Sequence, residues 1–216
     1  MQLNTFIDHT ILKPEATGKE IDQVVQEAVD NHFATVMVNP YWVSHVHGLL
    51  NDSEVKTATV IGFPLGANTT KIKILESKQA ILDGADELDM VMNIGELKAD
   101  HKKNVLNDIK AVVEAGHAAD KIVKVIIETA LLTDEEIGEA AELVVDANAD
   151  FVKTSTGFSK RGASIHDIEL LNSTVGDRIK IKAAGGIHSA EVARKMIEAG
   201  ASRLGVSASM KLISEQ

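Results

Sequence analysis

Short runs of β-branched and other aliphatic residues alternate with longer amphipathic stretches from one end of this chain to the other. That alternation limits the available folds more than any other feature. The spacing predicts strands over residues 5–8, 35–39, 56–62, 87–93, 122–128, 151–155, 179–184 and 203–206. Helical periodicity falls between them, as over 17–32, 69–83, 133–147 and 189–199. Thr17 stands three residues before Glu20 and Thr133 three before Glu136, the spacing of a capping box. Asp83-Gly84 and Ala199-Gly200 supply glycine stops. Strict strand–helix alternation gives right-handed βαβ units and a parallel sheet. Eight such units in 216 residues fit an α/β fold of the closed (β/α)8 TIM-barrel type better than an open doubly wound sheet. The first βα turn, Asp8-His9-Thr10-Ile11-Leu12-Lys13-Pro14, also lacks the glycines that a dinucleotide needs. Residues 63–68 read as a βα loop, and with no linker or break in composition residues 1–216 are expected to form a single domain.

Composition narrows the function classes. The formal net charge is −10 and no run of Lys and Arg could track a phosphate backbone, which argues against nucleic acid as a partner. An anionic ligand must then be held by local groups, against the field of the whole chain. With no cysteine, disulfides, zinc–thiolate sites and thiol nucleophiles are excluded. Residues 1–14 lack a secretion signal, and no apolar run approaches the ~18 residues of a membrane span, so a cytoplasmic protein without membrane contact is expected.

In a barrel of this kind chemistry gathers at the C-terminal ends of the strands, so polar residues inside aliphatic strands carry the information. Lys153 lies in Phe151-Val152-Lys153-Thr154-Ser155, a costly place for an ammonium; a lysine snorkelling to water from the rim is the structural alternative. In Ile179-Lys180-Ile181-Lys182-Ala183-Ala184, Lys180 and Lys182 share a face, with Lys182 nearer the C-terminal end and Lys180 near the bottom opening. Two neighbouring lysines make chemical sense, because a second cation and partial burial both disfavour the ammonium and leave an amine able to attack a carbonyl. Asp89 sits in Glu87-Leu88-Asp89-Met90-Val91, where a carboxylate needs a partner; paired with Lys182, it could also relay protons.

Gly185-Gly186 after the seventh strand and Gly205-Val206-Ser207-Ala208-Ser209 after the eighth suit an oxyanion, since backbone N–H groups in glycine turns bind phosphate without net positive charge. The histidines form no metal cluster: His45 and His47 are two apart on a predicted helix, and His32, His101, His117 and His166 read as surface residues. No metal is expected. His9, beside Asp8 at a strand end, could reach the site.

Ile127-Glu128-Thr129, Lys153-Thr154-Ser155-Thr156-Gly157-Phe158 and Lys182-Ala183-Ala184-Gly185-Gly186-Ile187 resemble, in order, the signature segments of the deoxyribose-phosphate aldolase family. The likeness runs from Ile7-Asp8-His9-Thr10 through Gly62-Phe63-Pro64-Leu65-Gly66 to the last strand. The resemblance implies a class I aldolase without cofactor, a homodimer, splitting 2-deoxyribose 5-phosphate reversibly into acetaldehyde and glyceraldehyde 3-phosphate. Its partners would be phosphorylated sugars and aldehydes. By motif match Lys153 would be the Schiff-base lysine, with Lys182 and Asp89 in activation and proton relay. Asp8 and Thr10 would line the pocket, while Gly157, Gly185, Gly186, Gly205 and Ser207 would bind phosphate. Another Schiff-base sugar-phosphate aldolase or a transaldolase is the alternative. The chain departs from the family pattern at Met37 and Ala130, where cysteine is common, and at His188, where arginine is frequent. It also ends at Gln216 without the C-terminal tyrosine of some members.

Overall fold

The computed structural model describes residues 2–215, so Gln216 lies outside the described residues. Eight strands, β1 (Ile7–Ile11), β2 (Thr35–Val38), β3 (Lys56–Ile61), β4 (Glu87–Val91), β5 (Ile122–Ile126), β6 (Phe151–Lys153), β7 (Lys180–Ala184) and β8 (Arg203–Val206), close in sequence order into a barrel. Every neighbouring pair is parallel, and β8 pairs back onto β1 through Asp8↔Gly205. The helices around it are α1 (Gly18–Asp30), α2 (Val43–Leu49), α3 (Thr70–Leu82), α4 (Ile94–Lys98) and α5 (Lys102–His117), then α6 (Asp134–Asp146), α7 (Ile165–Val175), α8 (Ala190–Glu198) and α9 (Ser209–Ser214). This is the expected (β/α)8 TIM barrel. Among the described residues no helix is long and apolar enough to cross a membrane.

Element boundaries moved where sheet closure overrode local propensity. The first strand begins two residues later than residue 5 and continues to Ile11, because Asn4–Phe6 form a 3-10 turn closed by Phe6 N–H donating to Leu3 O. Its polar middle, His9 and Thr10, is carried by pairing with Val36 and Met37. The sixth strand stops at Lys153, two residues early, as Thr154 N–H crosses to Lys182 O at 3.1 Å. Lys153 is therefore the last strand residue and faces the C-terminal opening, where a mid-strand position was expected.

Both expected capping boxes are present. Thr133 N–H donates to Glu136 Oε2 at 2.8 Å and Glu136 N–H to Thr133 Oγ1 at 3.3 Å; Thr17 N–H donates to Glu20 Oε2 at 2.8 Å. Gly84, with φ 103°, ends α3, and Gly200, with φ 125°, ends α8, as only glycine does without strain.

Strand side chains alternate between two cores. Outward-facing Val36, Leu88, Val123, Val152, Ile181 and Leu204 are buried against the helices. Inside the barrel a smaller group, Leu12, Met37, Ala58 and Val60 with Phe63 against it, fills the side built by β1 to β3. The remaining inward positions, on β4 to β8 and the start of β1, carry a cluster of charges, Glu87, Asp89, Lys124, Lys153, Lys182, Arg203 and Asp8, among Val91, Ile126, Phe151 and Ala184.

Candidate active site

Asp89 is the hub of these charges. Its Oδ1 accepts from Lys124 Nζ at 2.7 Å, and its Oδ2 accepts from Lys153 Nζ at 2.7 Å and Lys182 Nζ at 2.8 Å. The register explains the convergence: Asp89 lies level with Lys124 on the next strand, and Lys153 level with Lys182. Lys182 also pairs with Asp8 Oδ2, whose other oxygen accepts from Arg203 at 2.7 Å. Glu87 bridges Lys124 at 2.5 Å and Arg203 at 3.3 Å. Asp8, Asp89, Lys124 and Lys182 are fully buried, and Lys153 is 3% exposed.

Burial in so dense a field sets the protonation states. Desolvation, reinforced by Lys182 and Lys124, brings the Lys153 amine down to about 8 from 10.5, although Asp89 pulls the other way. Burial alone would raise the Asp89 carboxyl, but Lys124, Lys153 and Lys182 hold it well below the usual carboxylate range. Asp8 behaves likewise, its burial outweighed by Lys182, Lys124 and Arg203. Lys124 is held above an ordinary lysine by Asp89 and Glu87, against the effect of burial. Among the described lysines and arginines with a shifted affinity for the proton, Lys153 alone is pushed toward the neutral form.

Above Lys153 opens a cavity of about 600 Å³ at the C-terminal mouth of the barrel, lined among others by Thr10, Gly157, Gly185, Gly186, Gly205 and Ser207. All seven of these expected residues, Lys153 included, meet in one place, with Lys13 and His188 at the same mouth. Gly157, Gly185 and Gly186 have φ of 85°, 76° and 76°, backbone conformations that favour glycine. Two expectations need correction. Asp8 does not line the cavity; it lies beneath it, locked between Lys182 and Arg203. His9 points outward, its Nδ1 2.9 Å from Ser209 Oγ and its Nε2 2.8 Å from Glu27 Oε2, so alternation along β1 separates it from the site. Gly205 has a packing duty as well: a Cβ there would stand 3.0 Å from Ala184 Cβ and 3.3 Å from Lys182 Cε.

A model of the DeoC/LacD family aldolases matches residues 3–210. The chain belongs to that aldolase family. A deoxyribose-phosphate aldolase of Lactiplantibacillus plantarum is 67% identical over the full length of both chains. One of Streptococcus uberis is 54% identical over 99% of this chain and 96% of its own. Among solved structures, the aldolase QR15 superposes with a TM-score of 0.95 at 40% identity, covering 100% of this chain and 96% of its own. The tetrameric deoxyribose phosphate aldolase of Aeropyrum pernix gives 0.92 at 31% identity, covering 98% and 89%.

In this aldolase the sequence reading missed Lys124, Glu87 and Arg203. Lys124 carried the same signal as Lys153, a lysine inside an aliphatic strand, here between Val123 and Val125. Glu87 and Arg203 open their strands, where a charge ordinarily meets solvent. Also unforeseen was Gly162, whose Cα packs against Gly185; a Cβ there would fall 2.2 Å from the Gly185 carbonyl carbon. Glu128 holds the loop after β6, its Oε2 accepting from Thr156 N–H at 3.1 Å and from the Thr156 hydroxyl.

Proposed function

We propose that this aldolase cleaves 2-deoxy-D-ribose 5-phosphate reversibly to acetaldehyde and D-glyceraldehyde 3-phosphate through a Schiff base on Lys153. The observation that carries the reading is a buried amine, held down to about 8, at the floor of a cavity ringed by glycine turns. The neutral Lys153 nitrogen adds to C1 of the open-chain sugar, and loss of water leaves an iminium. A base removes the proton of the C3 hydroxyl; the C2–C3 bonding electrons flow into the iminium, and the aldehyde phosphate departs from an enamine. Protonation at C2 and hydrolysis release acetaldehyde and restore the amine. Lys182 and Asp89, hydrogen-bonded to each other and next to Lys153, handle these protons. Thr10 faces the sugar hydroxyls. The turns at Gly157 and Gly185-Gly186, with Ser207, hold the phosphate through backbone and hydroxyl donors, as the net charge of −10 requires local capture.

Borohydride reduction in the presence of the sugar phosphate, followed by peptide mass mapping, tests the assignment. The expected result is a reduced adduct on Lys153 alone; an adduct on Lys182 instead, or none, refutes it. By the family resemblance we further read the enzyme as a cytoplasmic homodimer, a reading supported by Ile72, Leu75 and Leu82, exposed along α3 as apolar surface for a second copy.

A further inference from the structure

The charges beneath the cavity form a closed circuit. Glu87 pairs with Lys124 at 2.5 Å, Lys124 with Asp89 at 2.7 Å, and Asp89 with Lys182 at 2.8 Å. Lys182 pairs with Asp8, Asp8 with Arg203 at 2.7 Å, and Arg203 returns to Glu87 at 3.3 Å. Three carboxylates and three cations alternate around it, so the circuit is neutral as it stands. Lys153 is outside the count. It hangs from Asp89 Oδ2 at 2.7 Å, sharing an oxygen that Lys182 already uses. From below, the ring of Phe151 closes the barrel, with Lys124, Lys180 and Arg203 at 5.8, 5.5 and 5.6 Å from its centroid.

We propose that Glu87, Lys124 and Arg203 are positioning residues that complete this neutral circuit, so that Asp89 is fixed and already compensated and Lys153 is, among the described buried lysines, the one without a counter-charge of its own. The inference rests on Lys153 being the Schiff-base lysine. A buried cation needs a partner, and a carboxylate already spoken for by two other lysines is a poor one. The circuit therefore leaves the burial of Lys153, which disfavours the ammonium, without a full counter-charge to offset it. The facing groups from other elements leave this count unchanged. Inward residues Met37, Ala58 and Val60 of β2 and β3 are uncharged, and Glu128 is engaged with Thr156. Lys13 at the mouth pairs with Glu20, and His188 stands at the same opening.

Charge, and not merely packing, is the predicted variable, so substitutions of opposite sign should act in opposite directions. The reading is the acid limb of kcat/KM against pH, which reports the free enzyme. Glu87→Gln leaves the circuit one charge positive and should move the limb to lower pH. Arg203→Gln leaves it one negative and should move the limb higher. Each shift is expected to be roughly one pH unit, the size for a unit charge on the order of 10 Å away, three ion pairs along for Glu87 and four for Arg203, at an effective dielectric of about 20. Glu87→Gln/Arg203→Gln together, and Arg203→Lys alone, should return the limb to its original place. Shifts of one sign in both single variants, or none, overturn the proposal, as does a displaced limb in Arg203→Lys. Should a single variant fail to fold, lysine NMR titration of the unsubstituted protein decides: Lys153 must lose its proton before Lys124, and the reverse order overturns the circuit. Borohydride adducts separate the two readings. An adduct on Lys153 with an unmoved limb defeats the circuit alone, whereas no adduct in the unsubstituted enzyme defeats the Schiff-base assignment beneath it.

Discussion

Lys153 shows how much a single environment changes a side chain. An unperturbed lysine is neutral in only about one molecule in a few thousand at pH 7. Held at about 8, Lys153 is neutral in roughly one in ten. The sign follows directly: the reactive form gains as the proton leaves, so kcat/KM should climb nearly tenfold per pH unit below about 8 and level off above it. A profile flat from pH 6 to 8 would contradict the assignment. Lys153 and Asp89 were legible in the sequence because charges inside aliphatic strands are expensive and therefore informative. Lys124 carried the same mark, but nothing in the sequence said that it shares a carboxylate with the other two. Asp8 was recognised as part of the site but misplaced within it, since its depth along β1 depends on the register with β8.

At the scale of elements, helix starts were readable and loop contacts were not. Thr133 is exposed and its box with Glu136 is purely local, so Thr133→Ala should cost about 1 kcal/mol of stability without altering kcat. Thermal unfolding of the two proteins measures it, and an unchanged midpoint would deny the cap its role. The β6–α7 and β7–α8 connections behave differently, since they meet where Gly162 lies against Gly185. Their contact is sealed by Ala163 N–H donating to Ala184 O at 3.0 Å. A methyl group at Gly162 must push the Gly185-Gly186 turn away. Gly162→Ala is expected to raise KM for the phosphorylated substrate on the order of tenfold, because displacements near 1 Å are felt that strongly. Activity on an unphosphorylated aldehyde should fall much less; an equal loss on both would show that the turn does not hold phosphate. Local propensity misjudged strand ends for a related reason. Thr154 and Ser155 have strand character, yet they turn away once Thr154 bonds to β7.

The whole molecule places an apolar wall and a charged wall face to face inside one cylinder. Met37, Ala58 and Val60 of β2 and β3, with Leu12 just after β1, form the first, while β4 to β8 and Asp8 of β1 supply the ion pairs. Outside, α3 turns Lys73 and Ser77 inward and leaves Ile72, Leu75 and Leu82 exposed, a pattern that suits a helix covered by a second subunit. Leu75→Glu should then yield monomers in sedimentation velocity; a substituted protein sedimenting as the parent does would remove α3 from any interface. By itself the sequence determined the barrel, because strand–helix alternation with period-two and period-3.6 faces leaves few parallel architectures, and it marked the lysines and glycine turns as functional. Only closure of the sheet decided which charges meet. Register across eight strands brings residues as distant as Asp8 and Arg203 into one ion-pair circuit, and no local pattern carries that distance.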